Sequence, residues 1–158
     1  HLVEYGQTYA SQAIVDDGTP APAPLDDIRL YVPGTRPGSP LPHAELEDQD
    51  GNRLPMMSLV RPGQFLLIAA EEGDAWCAAA KELAEAHGFP IRAVRVGTLE
   101  GDYRDPRCAW LKQRGIERGG AVLVRPDRFV GWRSRGSSTH ALGDLRAALE
   151  GVLCRVGA

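Results

Sequence analysis

Cysteine is scarce in this chain. Cys77, Cys108 and Cys154 are the only three in 158 residues, an odd number at wide spacings. That pattern gives neither a disulfide framework nor a zinc site, so a reducing, cytoplasmic setting is the default expectation. Histidine is equally sparse. His1, His43, His87 and His140 are scattered, and none sits at metal-ligand spacing from another His or Cys. Lys81 and Lys112 are the only lysines, and arginine supplies the remaining positive charge, which reads as codon bias. The formal net charge of -3 is mild and favours neither nucleic acid nor an anionic membrane surface. No apolar run approaches the ~18–20 residues of a membrane span, and no signal peptide is expected. There is no G-x-G-x-x-G or Walker loop, hence no nucleotide site by motif. Asp26-Asp27 and Glu71-Glu72 read as solvated faces rather than acid/base pairs. The chain opens on His1, as expected of a piece of something longer or of a tag scar.

The two parts of the chain differ in texture. Residues 1–42 hold an alternating stretch from Tyr5 to Val15, expected as one extended strand ending at Asp17-Gly18. Pro20, Pro22, Pro24, Pro33, Pro37, Pro40 and Pro42 follow, which excludes a helix or an inner strand and predicts an extended arm. From residue 43 to 158 the pattern tightens into one domain. A hairpin turns at Asp50-Gly51. The continuous apolar run Gln64 to Ala70 predicts a buried central strand. Asp74 is the predicted N-cap of a helix carrying Trp76, Ala80, Leu83, Ala84 and His87 at helical spacing, closed by Gly88. Ile91 to Gly97 predicts another strand. Asp105-Pro106 opens a short helix through Trp110 and Leu111 that ends at Gly115. Ala121 to Arg125 and Phe129 to Arg133 form a hairpin about Pro126-Asp127. Thr139 caps a final helix whose apolar stripe is Leu142, Leu145, Leu149, Val152 and Leu153.

From residue 63 onward this order is β-α-β-α-β-β-α, with "DAWCAAAKEL" at the head of the first helix. It resembles the thioredoxin fold, an α/β class with a mixed central sheet flanked by helices. The resemblance puts Cys77 at the redox position, where the positive end of the helix would lower its pKa. Ala80 then stands where a resolving cysteine belongs. The stretch "IERGGAVLV" holds Gly119 and Gly120 but no proline, although that fold's enzymes carry a cis-proline there. A dithiol site is therefore not expected. A monothiol redox or thiol-binding role for Cys77 stays open, and so does a free-standing interaction module. A peroxiredoxin is rejected, because "AAEEGDAWC" lacks the proline and threonine of its cysteine loop.

Three stretches taken in order carry a closer resemblance: "YGQTYASQAIVDDGTP", "PGTRPGSPLPHAELEDQDGNRL" and "GAVLVRPDRFVGWRS". Together they resemble the C-terminal part of the class A flavin-dependent aromatic hydroxylases, nearest the phenol and 2,4-dichlorophenol hydroxylases. The resemblance implies FAD and NAD(P)H in a longer parent enzyme and neither cofactor, nor any catalytic residue, in this stretch. It implies a redox-inactive tail that packs against its own N-terminal flavin domain, with homodimer contacts as a second use. Tyr5, Tyr9, Arg36, His43, Trp132 and Arg133 are the candidate interface residues, because aromatic and arginine side chains favour such surfaces. Strand alternation puts Trp132 and Arg133 on opposite faces, so only one is expected to enter the core.

Overall fold

A computed structural model describes residues 34–156. Tyr5, Tyr9, the expected strand Tyr5 to Val15, Asp26-Asp27 and most of the proline-rich arm lie outside those residues.

Seven strands form one mixed sheet. In chain order they are β1 (Glu45–Glu47), β2 (Arg53–Pro55), β3 (Phe65–Ala69), β4 (Ile91–Gly97), β5 (Tyr103–Arg104), β6 (Ala121–Val124) and β7 (Val130–Ser134). Across the sheet the order is β2-β1-β5-β4-β3-β6-β7. β3 lies parallel to β4 and antiparallel to β6. Three α-helices, α1 (Asp74–His87), α2 (Ala109–Gln113) and α3 (Ala141–Val156), and a short 3-10 helix, Met56–Leu59, complete the described residues. The predicted order is present, with β5 added. Two residues are too few to leave a periodic signal, yet β5 joins the β1–β2 hairpin to β4.

β3 is buried along its whole length, as a continuous apolar run requires. Its side chains divide between two cores. Phe65, Leu67 and Ala69 face α1 and α3, packing with Trp76, Leu83, Leu145 and Leu149. Leu66, Ile68 and Ala70 face the other way, toward Leu46, Met56, Trp110 and Ile116. Gly88 closes α1 in the left-handed region at φ 72°, as predicted.

The helix starts differ from the expectation in each case. Gly73, not Asp74, is the N-cap of α1. A Cβ at Gly73 would lie 2.7 Å from the Ala69 Cβ, so no capping side chain fits there. Asp74 becomes the first helical residue and its carboxylate accepts from Arg95 at 2.8 Å. α2 begins three residues beyond Pro106, after Cys108 in the left-handed region at φ 56°. Asp105 still serves it, since its Oδ2 accepts from the Leu111 amide at 2.9 Å. Ahead of α3 the Ser138 hydroxyl, not Thr139, accepts from the His140 amide at 3.0 Å.

The end of the arm is built into the domain. The Gly38 amide donates to the Val130 carbonyl, the Val130 amide to Ser39 and the Leu41 amide to Arg128. Pro40 forms an isolated bridge with Phe129. A proline tolerates this place because it lies at the outer edge of the sheet. Thr35 is 1% exposed. Its hydroxyl donates to the Arg114 carbonyl and accepts from Arg133 at 3.0 Å.

Candidate functional site

The expected redox position lies where β3 runs into α1. Cys77 is half-buried on α1 and Ala80 is fully buried one turn on. The chemistry runs opposite to the expectation of an activated thiol. Burial comes first, the carboxylates of Asp102 and Asp74 add to it, and Arg95 opposes them; together they push the Cys77 thiol up to about 11. A thiol held protonated is a poor nucleophile. The helix dipole is outweighed here by desolvation and by two nearby negative charges.

The loop that holds the proline in thioredoxin-type enzymes has another use in this chain. The Trp76 indole donates from Nε1 to the Gly119 carbonyl at 2.9 Å. Trp76 also meets Trp132 edge-on, with ring centroids 5.5 Å apart. A Cβ on Gly120 would stand 2.6 Å from the Ser134 carbonyl oxygen and 2.7 Å from that of Arg135. Glycine there allows the backbone to pass close to the end of β7.

Beside this contact lies a buried ion pair that the sequence reading missed. Glu71 was expected on a solvated face. Instead Glu71 and Arg114 meet at 2.5 Å, each with a side chain 6% exposed. Burial alone would raise the Glu71 carboxyl. The hydrogen bond from Arg114, a backbone hydrogen bond, and the charges of Arg114 and Arg118 more than offset it and hold it below its ordinary value. Glu72 is exposed and pairs with Arg118 at 3.0 Å. Its amide donates to the Arg118 carbonyl at 2.7 Å. Nothing in the local sequence separates Glu71 from Glu72. Only the turn out of β3 sends one side chain inward and its neighbour outward.

The candidate interface residues disperse. Trp132 and Arg133 do alternate: Arg133 is buried, whereas Trp132 is half-buried. Trp132 packs on Trp76, and Arg133 lies under Thr35. Arg36 is half-buried and His43 is exposed. Among the described residues no group of His, Cys, Asp and Glu could hold a metal ion. The N-terminus of α1 is flanked by Glu71, Glu72 and Asp74. Each of these carboxylates is paired with an arginine: Arg114, Arg118 and Arg95 respectively. No chemical step is assigned to the described residues.

Such an arrangement defines a mixed α/β domain with a thiol held protonated and a tightly tied loop end. Residues 34–155 match the family model of the aromatic-ring hydroxylase C-terminal domain, and the chain belongs to that family. It is 39% identical over 157 residues to a 2,4-dichlorophenol 6-monooxygenase of Delftia acidovorans, covering 97% of this chain and 26% of that protein. It is 37% identical to the tetracenomycin A2 monooxygenase-dioxygenase of Streptomyces glaucescens, covering 98% of this chain and 26% of that protein. Among solved structures, the flavin-dependent monooxygenase PieE, in complex with FAD and substrate, superposes with a TM-score of 0.82 at 35% identity. That likeness covers 99% of this chain and 26% of PieE. Aklavinone-11 hydroxylase, with FAD and aklavinone, gives 0.79 at 35% identity over 95% of this chain and 26% of that one. The chain thus spans about a quarter of the length of the relatives it matches.

Proposed function

We propose that this chain is the C-terminal part of an FAD- and NAD(P)H-dependent monooxygenase that hydroxylates a phenol-type aromatic ring. Within that enzyme it is a redox-inactive structural domain. The carrying observation is the end-to-end likeness to FAD-dependent monooxygenases at a TM-score of 0.82. The flavin and the nicotinamide belong to the part of the parent outside this chain. The flavin supplies the oxygen-transfer chemistry, and the protein positions it and keeps water away. The domain keeps the thioredoxin-like order of elements without its thiol chemistry. Its docking partner is the flavin-bearing part of the same polypeptide, reached through Tyr5, Tyr9, Arg36 and His43. Contacts between two copies are a second use of that surface. Neither nucleic acid nor a membrane is a partner. No described helix is long and apolar enough to cross a membrane, and we place the enzyme in the cytoplasm.

The test uses native protein drawn from source cells with an antibody against this chain. A much longer, yellow polypeptide with flavin absorbance is expected. A colourless chain of about this length would overturn the proposal.

A further inference from the structure

Two large apolar side chains stand out at the surface of the described residues, Leu99 at 86% exposure and Leu111 at 40%. A single exposed leucine is ordinary on a protein surface. Leu99 differs in what holds it. It sits at the tip of the turn from β4 to β5, and both ends of that turn are held by close backbone contacts. A Cβ on Gly97 would lie 2.2 Å from the Glu100 carbonyl oxygen and 2.9 Å from the Glu71 Cγ. Gly101 lies at φ 126°, and a Cβ there would meet the Arg95 carbonyl oxygen at 2.7 Å. The Asp102 carboxylate accepts from the Arg95 amide at 2.8 Å, and the Asp102 amide donates to the Arg95 carbonyl at 2.8 Å. Gln49 donates from Nε2 to the Gly101 carbonyl at 2.6 Å.

The ground beneath the turn is fixed as well. Gly97 packs on Glu71, and Glu71 is tied to Arg114. Arg95 reaches Asp74, and Arg118 pairs with Glu72. The buried pair at this end is costly to desolvate, and such pairs can fix one conformation. A backbone already held in place loses little conformational entropy when the side chain it presents docks.

We propose that the turn Gly97 to Gly101 is a docking element that inserts Leu99 into an apolar pocket on the flavin-bearing part of the same polypeptide. This rests on the reading that the chain belongs to a longer hydroxylase. Length points to this occupant: the chain covers 26% of its relatives, so most of their polypeptide lies outside it and needs a surface to rest against.

Leu99→Cys in the full-length flavoprotein tests this. The tryptic peptide from Val96 to Arg104 contains no native cysteine, so maleimide labelling of the new thiol is read there alone by mass. Glu82→Cys, on an exposed residue of α1, is the reference, read in the peptide Glu82 to Arg92. Each rate is scaled to its own rate in urea. The thiol at position 99 is expected to be protected by about tenfold or more, and that at position 82 by little. Labelling at position 99 as fast as in urea would overturn the proposal. Protection that disappears on dilution would assign the pocket to a second copy of the protein and overturn it equally. The flavin spectrum of the same sample reports on the parent enzyme separately, so a yellow protein with a freely labelled position 99 refutes this inference and leaves the other standing.

Discussion

Cys77 and Glu71 lie on either side of the start of α1, and their environments drive them in opposite directions. The Cys77 thiol, pushed up to about 11 from an ordinary 9.0, holds about a hundredfold less thiolate at neutral pH than a free cysteine would. Its alkylation by iodoacetamide should be slow at pH 8 and accelerate with each step toward pH 11. Peptide mass mapping across that range measures it, and fast labelling at pH 7 would contradict the geometry. The sign for stability follows. Below pH 9 both states keep the proton and the thiol adds no pH dependence; between about 9 and 11 the unfolded chain releases it first, so stability falls there. Glu71 behaves in the reverse sense. Its lowered carboxyl contributes stability that is present above the ordinary carboxylate value and is lost as pH falls through the folded value. Glu71→Gln should flatten that acid limb in urea titrations at several pH values. Arg114→Leu leaves the buried Glu71 carboxylate with only the exposed Arg118 at 3.7 Å, and should cost about 3–5 kcal/mol, with much of it regained when Glu71→Leu is added.

At the scale of elements, the β6–β7 hairpin and the start of α1 depend on each other. Gly120 leads into β6 with its Cα against the last carbonyl of β7. Gly120→Ala should cost on the order of 1–3 kcal/mol, because backbone rather than a flexible side chain would have to move. Thermal denaturation measures it, and an unchanged midpoint would show that the loop yields easily. Trp76→Phe removes the donor to Gly119 while keeping much of the ring packing. A loss of about 1 kcal/mol is expected, together with faster hydrogen exchange in residues 117–120. Gly73 and Asp105 show how helix starts depart from the local cap signal: a Cβ at Gly73 would strike Ala69 and Ala70, and Asp105 serves α2 from outside it, through the Leu111 amide.

For the whole molecule, the two cores on either side of the sheet leave little of β3 or β6 to solvent, and the strap 35–41 covers part of the β7 edge. Thr35 joins the strap to both Arg114 and Arg133. Thr35→Val keeps the shape and removes both bonds, so the amides of Gly38 and Leu41 should exchange faster while those of β3 hold their protection. Equal loss of protection in strap and core would mean that the strap does not move apart from the domain.

Much of this was written in the sequence. The apolar run of β3, the stripe of α3, the glycine that ends α1 and the two hairpins are local patterns, set by periodicity and by backbone preferences that act over a few residues. The aromatic-hydroxylase resemblance was legible for a related reason: stretches such as "VRPDRFVGWR" keep their residues in order along the chain. The tertiary structure alone decided which of two adjacent glutamates is buried, that Cys77 is held protonated, that Arg133 lies under a strap, and that Leu99 projects from a pinned turn. Each of these depends on groups far apart in sequence meeting at one end of the sheet. Burial, charge pairing and exclusion of a Cβ are properties of that meeting, and no window of neighbouring residues contains them.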